Sequence, residues 1–139
     1  MSSIEDEAAL AGAAMEAAGL KPTLALVSSA QRTRETAEAG LQNFALETRV
    51  EDALYHASLE GIWDAFTASE AESVVVVGHN PGIGELVSTL VHQAHDGSKL
   101  AREFSTHFPT AAFAAFEIRG ELLRAAGPRL LTAWKPDRD

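Results

Sequence analysis

The chain has 139 residues, a formal net charge of -9 and no cysteine, with 46% hydrophobic and 22% charged residues. This composition is typical of one globular domain, disfavours nucleic acid as a partner, and excludes disulfides and thiolate metal sites. The first residues lack the basic and apolar character of a secretion signal, and no apolar run is long enough to cross a membrane. We therefore expect a single cytoplasmic domain, residues 1–139, that binds neither nucleic acid nor membranes.

The chain opens with a predicted helix, followed by a strand and a second helix. Residues 8–18 are rich in alanine, and Gly19 is placed where a glycine commonly ends a helix. Residues 23–27 form a short apolar run bounded by serines, which predicts a buried strand. The polar pattern of residues 30–39 then predicts a helix that stops at Gly40.

The middle of the chain contains the strongest strand pattern. Residues 46–50 predict a short strand, and the apolar stripe in residues 59–68 predicts a helix. The four consecutive valines within residues 73–77 predict a strand buried on both faces, which is typical of the centre of a parallel sheet. Helical spacing resumes over residues 83–93.

The last third of the chain predicts a loop and two strands. Residues 94–107 are polar and irregular, which is typical of a surface loop. Residues 111–118 and 129–134 predict strands joined by a connection over residues 120–127. The alternation of strands and helices along the chain predicts a three-layer α/β/α domain, with helices on both faces of a mainly parallel sheet.

Two predicted strand-to-helix turns carry the residues best suited to chemistry. His79 follows the valine strand at the carboxyl edge of the sheet, where open α/β folds bind ligands, and free amides at the next helix start would favour an anion. Arg32 lies in the first turn of another helix, where a cation is unfavourable unless an anion neutralises it. Taken alone, His79 could equally be an ordinary loop histidine, and Arg32 could point into solvent or pair with Glu35.

The functional interpretation of Arg32 and His79 becomes stronger when the two turns are considered together. If their strands are neighbours in a parallel sheet, Arg32 and His79 converge on one pocket, and a guanidinium with an imidazole suits a phosphoryl group. Arg34 lies two positions further on, cannot share a helix face with Arg32, and is predicted to be a surface residue.

The same residues resemble a known family. Residues 28–37, Ser-Ser-Ala-Gln-Arg-Thr-Arg-Glu-Thr-Ala, and the Gly-His-Asn-Pro of residues 78–81 are similar to motifs of the histidine phosphatase superfamily. The most similar branch is the SixA-type phosphohistidine phosphatases. The resemblance runs from about Ala8 to the last strand and includes residues 53–57, which line the mouth of the pocket in the family. It implies the phosphoglycerate mutase-like fold.

The resemblance also implies roles for the matched positions. Arg32 would hold the phosphoryl oxygens, His79 would stabilise the transition state electrostatically, and Asn80 would order its turn and contact the phosphate. The implied reaction is hydrolysis of phosphohistidine or of a small phosphomonoester through a phosphohistidine intermediate, so the partner is a phosphorylated small molecule or a phosphohistidine protein. No metal or other cofactor is implied, and the weak metal pattern of His92 and His95 is better explained by a solvated helix end.

One departure from the family concerns the nucleophile. In the family it is the histidine of an Arg-His-Gly or Arg-His-Ala motif on an N-terminal strand, and no Arg-His dipeptide occurs in this sequence. Because covalent catalysis needs that imidazole, we expect the chain as given to be weak or inactive, with an exposed sheet edge where such a strand would pair. Two alternatives are open: a non-catalytic phosphate-binding or regulatory domain, and a domain completed by strand exchange in a homo-oligomer.

Overall fold

A computed structural model of the protein describes residues 4–118 and 128–136. The helices are α1 Ile4–Ala17, α2 Gln31–Leu41, α3 Leu59–Ser69, α4 Gly82–Ala94 and α5 Lys99–Phe104. The strands are β1 Leu24–Ser28, β2 Glu47–Glu51, β3 Val74–Val77, β4 Phe113–Glu117 and β5 Arg129–Trp134. The predicted connection over residues 120–127 lies outside the described residues. Within the described ranges, no helix has the length and apolar character that a membrane span requires.

The centre of the fold is β1, which pairs in parallel with β2 on one side and with β3 on the other. All five residues of β1 are buried, and their side chains alternate between the two faces of the sheet. Ala25 and Val27 pack against α1 and α2, whereas Leu24 and Leu26 pack against α3 and the start of α4. The predicted three-layer arrangement with helices on both faces is therefore confirmed.

The prediction that the valine strand lies at the centre of the sheet is wrong. Among the described residues, β3 pairs only with β1, and its four valines are half-buried. The valines are apolar because helices cover both faces of β3: Val75 and Val77 pack with the α1 and α2 side, and Val74 and Val76 with the α3 side. A strand with helices packed on both faces has apolar residues at every position, whether it lies at the centre or at the edge of the sheet.

The last two strands do not extend the parallel sheet. They form a separate antiparallel hairpin, in which Phe113 is opposite Trp134 and the two rings stack with centroids 6.2 Å apart. The hairpin packs against the apolar faces of α4 and α5. The structure thus combines a three-stranded parallel sheet with this hairpin.

The prediction of a loop over residues 94–107 is wrong, because α5 lies within it. Ser98 caps this helix by accepting a hydrogen bond from the amide of Ala101 at 3.3 Å. Ala101 and Phe104 are almost fully buried against α4, with Phe104 only 1% exposed. A helix of six residues is too short to show a clear apolar period in the sequence, which explains the error.

The prediction that Gly40 stops α2 is also wrong, because the helix continues past it to Leu41. Gly40 is needed where α1 and α2 cross. A Cβ atom at Gly12 would overlap the carbonyl oxygen of Gly40, and a Cβ at Gly40 would lie 3.0 Å from the carbonyl oxygen of Ala8. Gly19 does end α1 as predicted, with a φ of +79° that a side chain would disfavour.

This close approach gives a test of how the two helices pack. Gly12→Ala should lower the free energy of unfolding by about 1–3 kcal/mol, because overpacking outweighs the better helix propensity of alanine. The matched control is Gly97→Ala, since a Cβ there would meet no atom within 4 Å. Urea denaturation measures both variants. If Gly12→Ala were as stable as the original chain, the backbones could not be this close.

Candidate functional site

The carboxyl ends of β1 and β3 lie side by side, and each strand passes directly into a helix. Val27 is the register partner of Val77, so the residues that follow them leave the sheet at the same level. The turn after β1 leads into α2, which carries Arg32, and the turn after β3 contains His79 and leads into α4. The neighbouring strands that the convergence of Arg32 and His79 requires are therefore present.

A hydrogen bond between side chains joins the two turns. The hydroxyl oxygen of Ser28 lies 2.8 Å from Nε2 of His79. Ser28 is the last residue of β1 and is fully buried, and its carbonyl oxygen accepts a hydrogen bond of 2.9 Å from the hydroxyl of Thr33 in α2. The sequence placed Ser28 within a motif but did not predict this contact. The sequence feature that could have indicated this contact is the position of Ser28, at the end of a buried strand beside the predicted pocket.

Tyr55 and His56 bring two more rings to His79. The ring centroid of His56 lies 5.0 Å from that of His79, and the ring of Tyr55 lies 5.6 Å from His79 and 4.6 Å from His56. His56 has a φ of +53°, in the left-handed region that few residues other than glycine adopt. Tyr55 is 53% exposed, so these rings stand at the open side of the site.

The surroundings of His79 favour its neutral form. Burial lowers the pKa of the His79 imidazole below its usual value of 6.5, and the nearby positive charge of His56 lowers this pKa further. A bound anion beside His79 would act in the opposite direction, because a negative charge stabilises the protonated form of its imidazole.

Arg32 is exposed on the first turn of α2 and makes no hydrogen bond or ion pair with the described residues. The alternative pairing with Glu35 is thus not present. The residue before this helix is Ala30, which has no side chain that could cap it. Over the described ranges, the amides of residues 31–33 also have no hydrogen-bond partner. A cation and unpaired amides at one helix end together favour an anion.

The start of α4 is different, because only the amide of Gly82 among its first four residues has no hydrogen-bond partner in the described part of the chain. Three of its first amides already donate hydrogen bonds within the turn, each 2.9 Å long. The donor and acceptor pairs are Ile83 to the His79 carbonyl, Gly84 to Asn80 Oδ1 and Glu85 to the Pro81 carbonyl. Local backbone and the Asn80 side chain satisfy these donors, so within the described residues α2 offers more unpaired amides to a ligand than α4 does.

The side chain of Asn80 is engaged at both of its polar atoms. Its oxygen accepts from Gly84, and its nitrogen donates to the carbonyl oxygen of Phe108 at 3.0 Å. The peptide bond between Asn80 and Pro81 is cis. These contacts tie the turn after β3 to the segment after α5, which is the ordering role expected of Asn80. A direct contact between Asn80 and phosphate stays a prediction.

The remaining candidates lie away from the two turns. Arg34 is exposed on α2, as predicted. His92 bonds through Nδ1 to the carbonyl oxygen of Ser88 at 2.7 Å, and His95 follows the last residue of α4 with a φ of +52°. In the ranges that the structure describes, no three His, Asp or Glu side chains are grouped closely enough to hold a metal ion.

The contact between the two histidines predicts how His79 titrates. Replacing His56 with alanine should raise the pKa of His79, because a like charge is removed, and this pKa should stay below 6.5, because the burial remains. NMR titration of the imidazole Cε1 protons measures this change. His92→Ala is the control and should leave the titration of His79 unchanged.

The same pKa shift predicts the direction of a stability change with pH. The unfolded chain takes up a proton at His79 near pH 6.5, whereas the folded chain does so only at a lower pH. The contribution of His79 to the free energy of unfolding should therefore be lost as pH falls from 6.5 through the folded pKa. Urea denaturation of the original chain and of His79→Gln over this range should show a smaller loss for the variant, and an equal loss would contradict the assignment.

Two solved structures are similar to the chain over most of its length, although no family model and no curated protein matches it. One is assigned as the phosphohistidine phosphatase SixA of Nakamurella multipartitia, with 27% identity and a TM-score of 0.78 over 95% of this chain and 81% of that one. The other is assigned as SixA of Agrobacterium tumefaciens, with 25% identity and a TM-score of 0.75 over 95% and 80%. The resemblance to SixA-type proteins of the histidine phosphatase superfamily, and the fold that it implies, are therefore confirmed.

Proposed function

We propose that this SixA-like chain binds a phosphoryl group between the first turn of α2 and His79, and that the group belongs to a phosphohistidine or a small phosphomonoester. The hydrogen bond between Ser28 and His79 is the observation that carries the proposal, because it fixes the imidazole beside the turn that leads to Arg32. The two similar structures, both assigned as phosphohistidine phosphatases, support the choice of substrate class.

Local charge makes this site suitable for an anion in spite of the net charge of -9. Charge-assisted hydrogen bonds from a guanidinium contribute about 1.5–3 kcal/mol each, whereas a helix end contributes about 0.3–1 kcal/mol at an exposed position. Arg32 therefore contributes more than the helix dipole alone, and direct hydrogen bonds from the amides of residues 31–33 to the anion are charge-assisted as well. The amides orient the bound phosphoryl group, since they point along the helix axis toward its oxygens.

Hydrolysis through a phosphohistidine intermediate needs an imidazole that attacks phosphorus. Given such an imidazole, Arg32 would bind the equatorial oxygens and His79 would stabilise the charge that develops on them. The nucleophile of the family has no counterpart in this sequence, because no Arg-His dipeptide occurs in it. We therefore infer that the chain as given binds the phosphoryl group but turns it over slowly or not at all.

Two observations favour the alternatives. The lack of an Arg-His dipeptide favours a non-catalytic phosphate-binding or regulatory domain. The outer edge of β3 is unpaired in the part of the chain that the structure describes, which favours completion of the sheet by strand exchange between copies.

Arg32 and Arg34 provide a matched pair of variants, because they lie on the same helix and carry the same charge. Arg32→Gln should weaken the binding of inorganic phosphate by about tenfold to a hundredfold, through loss of charge-assisted hydrogen bonds. Arg34→Gln should change the affinity by less than about twofold, which measures the general effect of removing one positive charge. Isothermal titration calorimetry gives both values, and equal losses would contradict the proposed site.

Turnover distinguishes the enzyme from its alternatives. Slow hydrolysis of a phosphomonoester that His79→Ala abolishes would support catalysis, whereas phosphate binding with no hydrolysis would support the binding domain. A dimer that forms with rising concentration, seen by light scattering, would support strand exchange. Absence of phosphate binding by the original chain would contradict the proposal as a whole.

A further inference from the structure

The hydroxyl of Ser28 has a restricted set of hydrogen bonds. A serine hydroxyl has one proton to donate and two lone pairs that can accept. The amide of Ala30 donates to the Ser28 oxygen at 3.3 Å, and Nε2 of His79 lies 2.8 Å from the same oxygen. Ser28 makes no other side-chain hydrogen bond within the described residues. Its side chain is fully buried, so water does not replace a missing partner.

These contacts decide which atom holds the proton between the two side chains. If His79 donated from Nε2, the Ser28 hydroxyl would have two donors directed at it and no acceptor for its own buried proton. A buried donor without a partner is unfavourable. If instead the hydroxyl donates to Nε2, the amide of Ala30 occupies a lone pair, and both the buried hydroxyl and Nε2 are satisfied. The second arrangement is the one that the geometry favours.

We propose that Ser28 is a positioning residue for His79: it donates its hydroxyl proton to Nε2, so that the neutral imidazole keeps its proton on Nδ1. Within the described residues, Nδ1 of His79 has no hydrogen-bond partner, and the ring is only half-buried. Nδ1 is thus the nitrogen available to a ligand, and Nε2 is not.

This assignment deepens the proposed function and rests on it. A phosphoryl oxygen is an acceptor, so a neutral His79 binds it only through a nitrogen that carries a proton. With Nε2 occupied by Ser28, the donor to the phosphoryl group is Nδ1–H. His79 is then a hydrogen-bond donor in the site, and its Nε2 is not free to attack phosphorus.

Imidazole nitrogen NMR reports this directly, because protonated and unprotonated ring nitrogens have well-separated chemical shifts. In the ¹⁵N-labelled chain, above the pKa of His79, we expect an unprotonated Nε2 and a protonated Nδ1. Ser28→Ala should turn His79 into a mixture of tautomers that includes Nε2–H. Ser29→Ala, which removes a neighbouring hydroxyl that makes no hydrogen bond with described residues, should leave the spectrum of His79 unchanged.

The original chain alone can overturn the proposal: a protonated Nε2 in neutral His79 would do so even if Ser28→Ala failed to fold. A folded Ser28→Ala variant that kept only the Nδ1–H tautomer would also overturn it. Phosphate affinity should fall by about twofold to tenfold in Ser28→Ala and stay constant in Ser29→Ala. Failure of the original chain to bind phosphate, with the expected tautomer present, would reject the proposed function and leave the hydrogen-bond assignment standing.

Discussion

Val27 and Val77 are register partners in neighbouring parallel strands, and this pairing sets the position of the candidate site. Because both strands run in the same direction, their next residues leave the sheet together, and Ser28 comes within 2.8 Å of His79. An antiparallel pairing would have placed the two turns at opposite ends of the sheet. The helices that bury β1 on both faces hold this register in place, since a slip by one residue would exchange the two apolar faces.

The two helix starts at this edge are chemically different, although each follows a strand of the same parallel sheet. At α4 the Asn80 side chain and local carbonyls accept hydrogen bonds from three of the first four amides. At α2 the residue before the helix is Ala30, the first three amides have no partner among the described residues, and Arg32 lies in the same turn. The first turn of α2 thus carries a positive charge, in a protein whose net charge is -9. We propose that a phosphoryl group is the ligand of this turn.

The sequence predicts the order of elements and the three layers, because apolar periodicity reports which faces are covered. It does not report strand order, which is why the valines of β3 suggested a central strand. It also misses contacts between residues far apart in the chain. The Ser28–His79 hydrogen bond joins residues that are 51 positions apart in the chain. The close approach of the helix backbones at Gly40 likewise depends on Gly12, which lies in another helix. Arg32 and His79 were predicted as a pair because both follow strands that the sequence placed in one parallel sheet.

The central claim is that a phosphoryl group is bound between the first turn of α2 and His79. Titration of the ¹⁵N-labelled chain with inorganic phosphate, followed by amide and imidazole shifts, tests this most directly. We expect the largest changes at the amides of residues 31–33 and at the ring of His79, with small changes at residues 83–85. The largest changes at residues 83–85, or at the far end of α4 near His92, would contradict it.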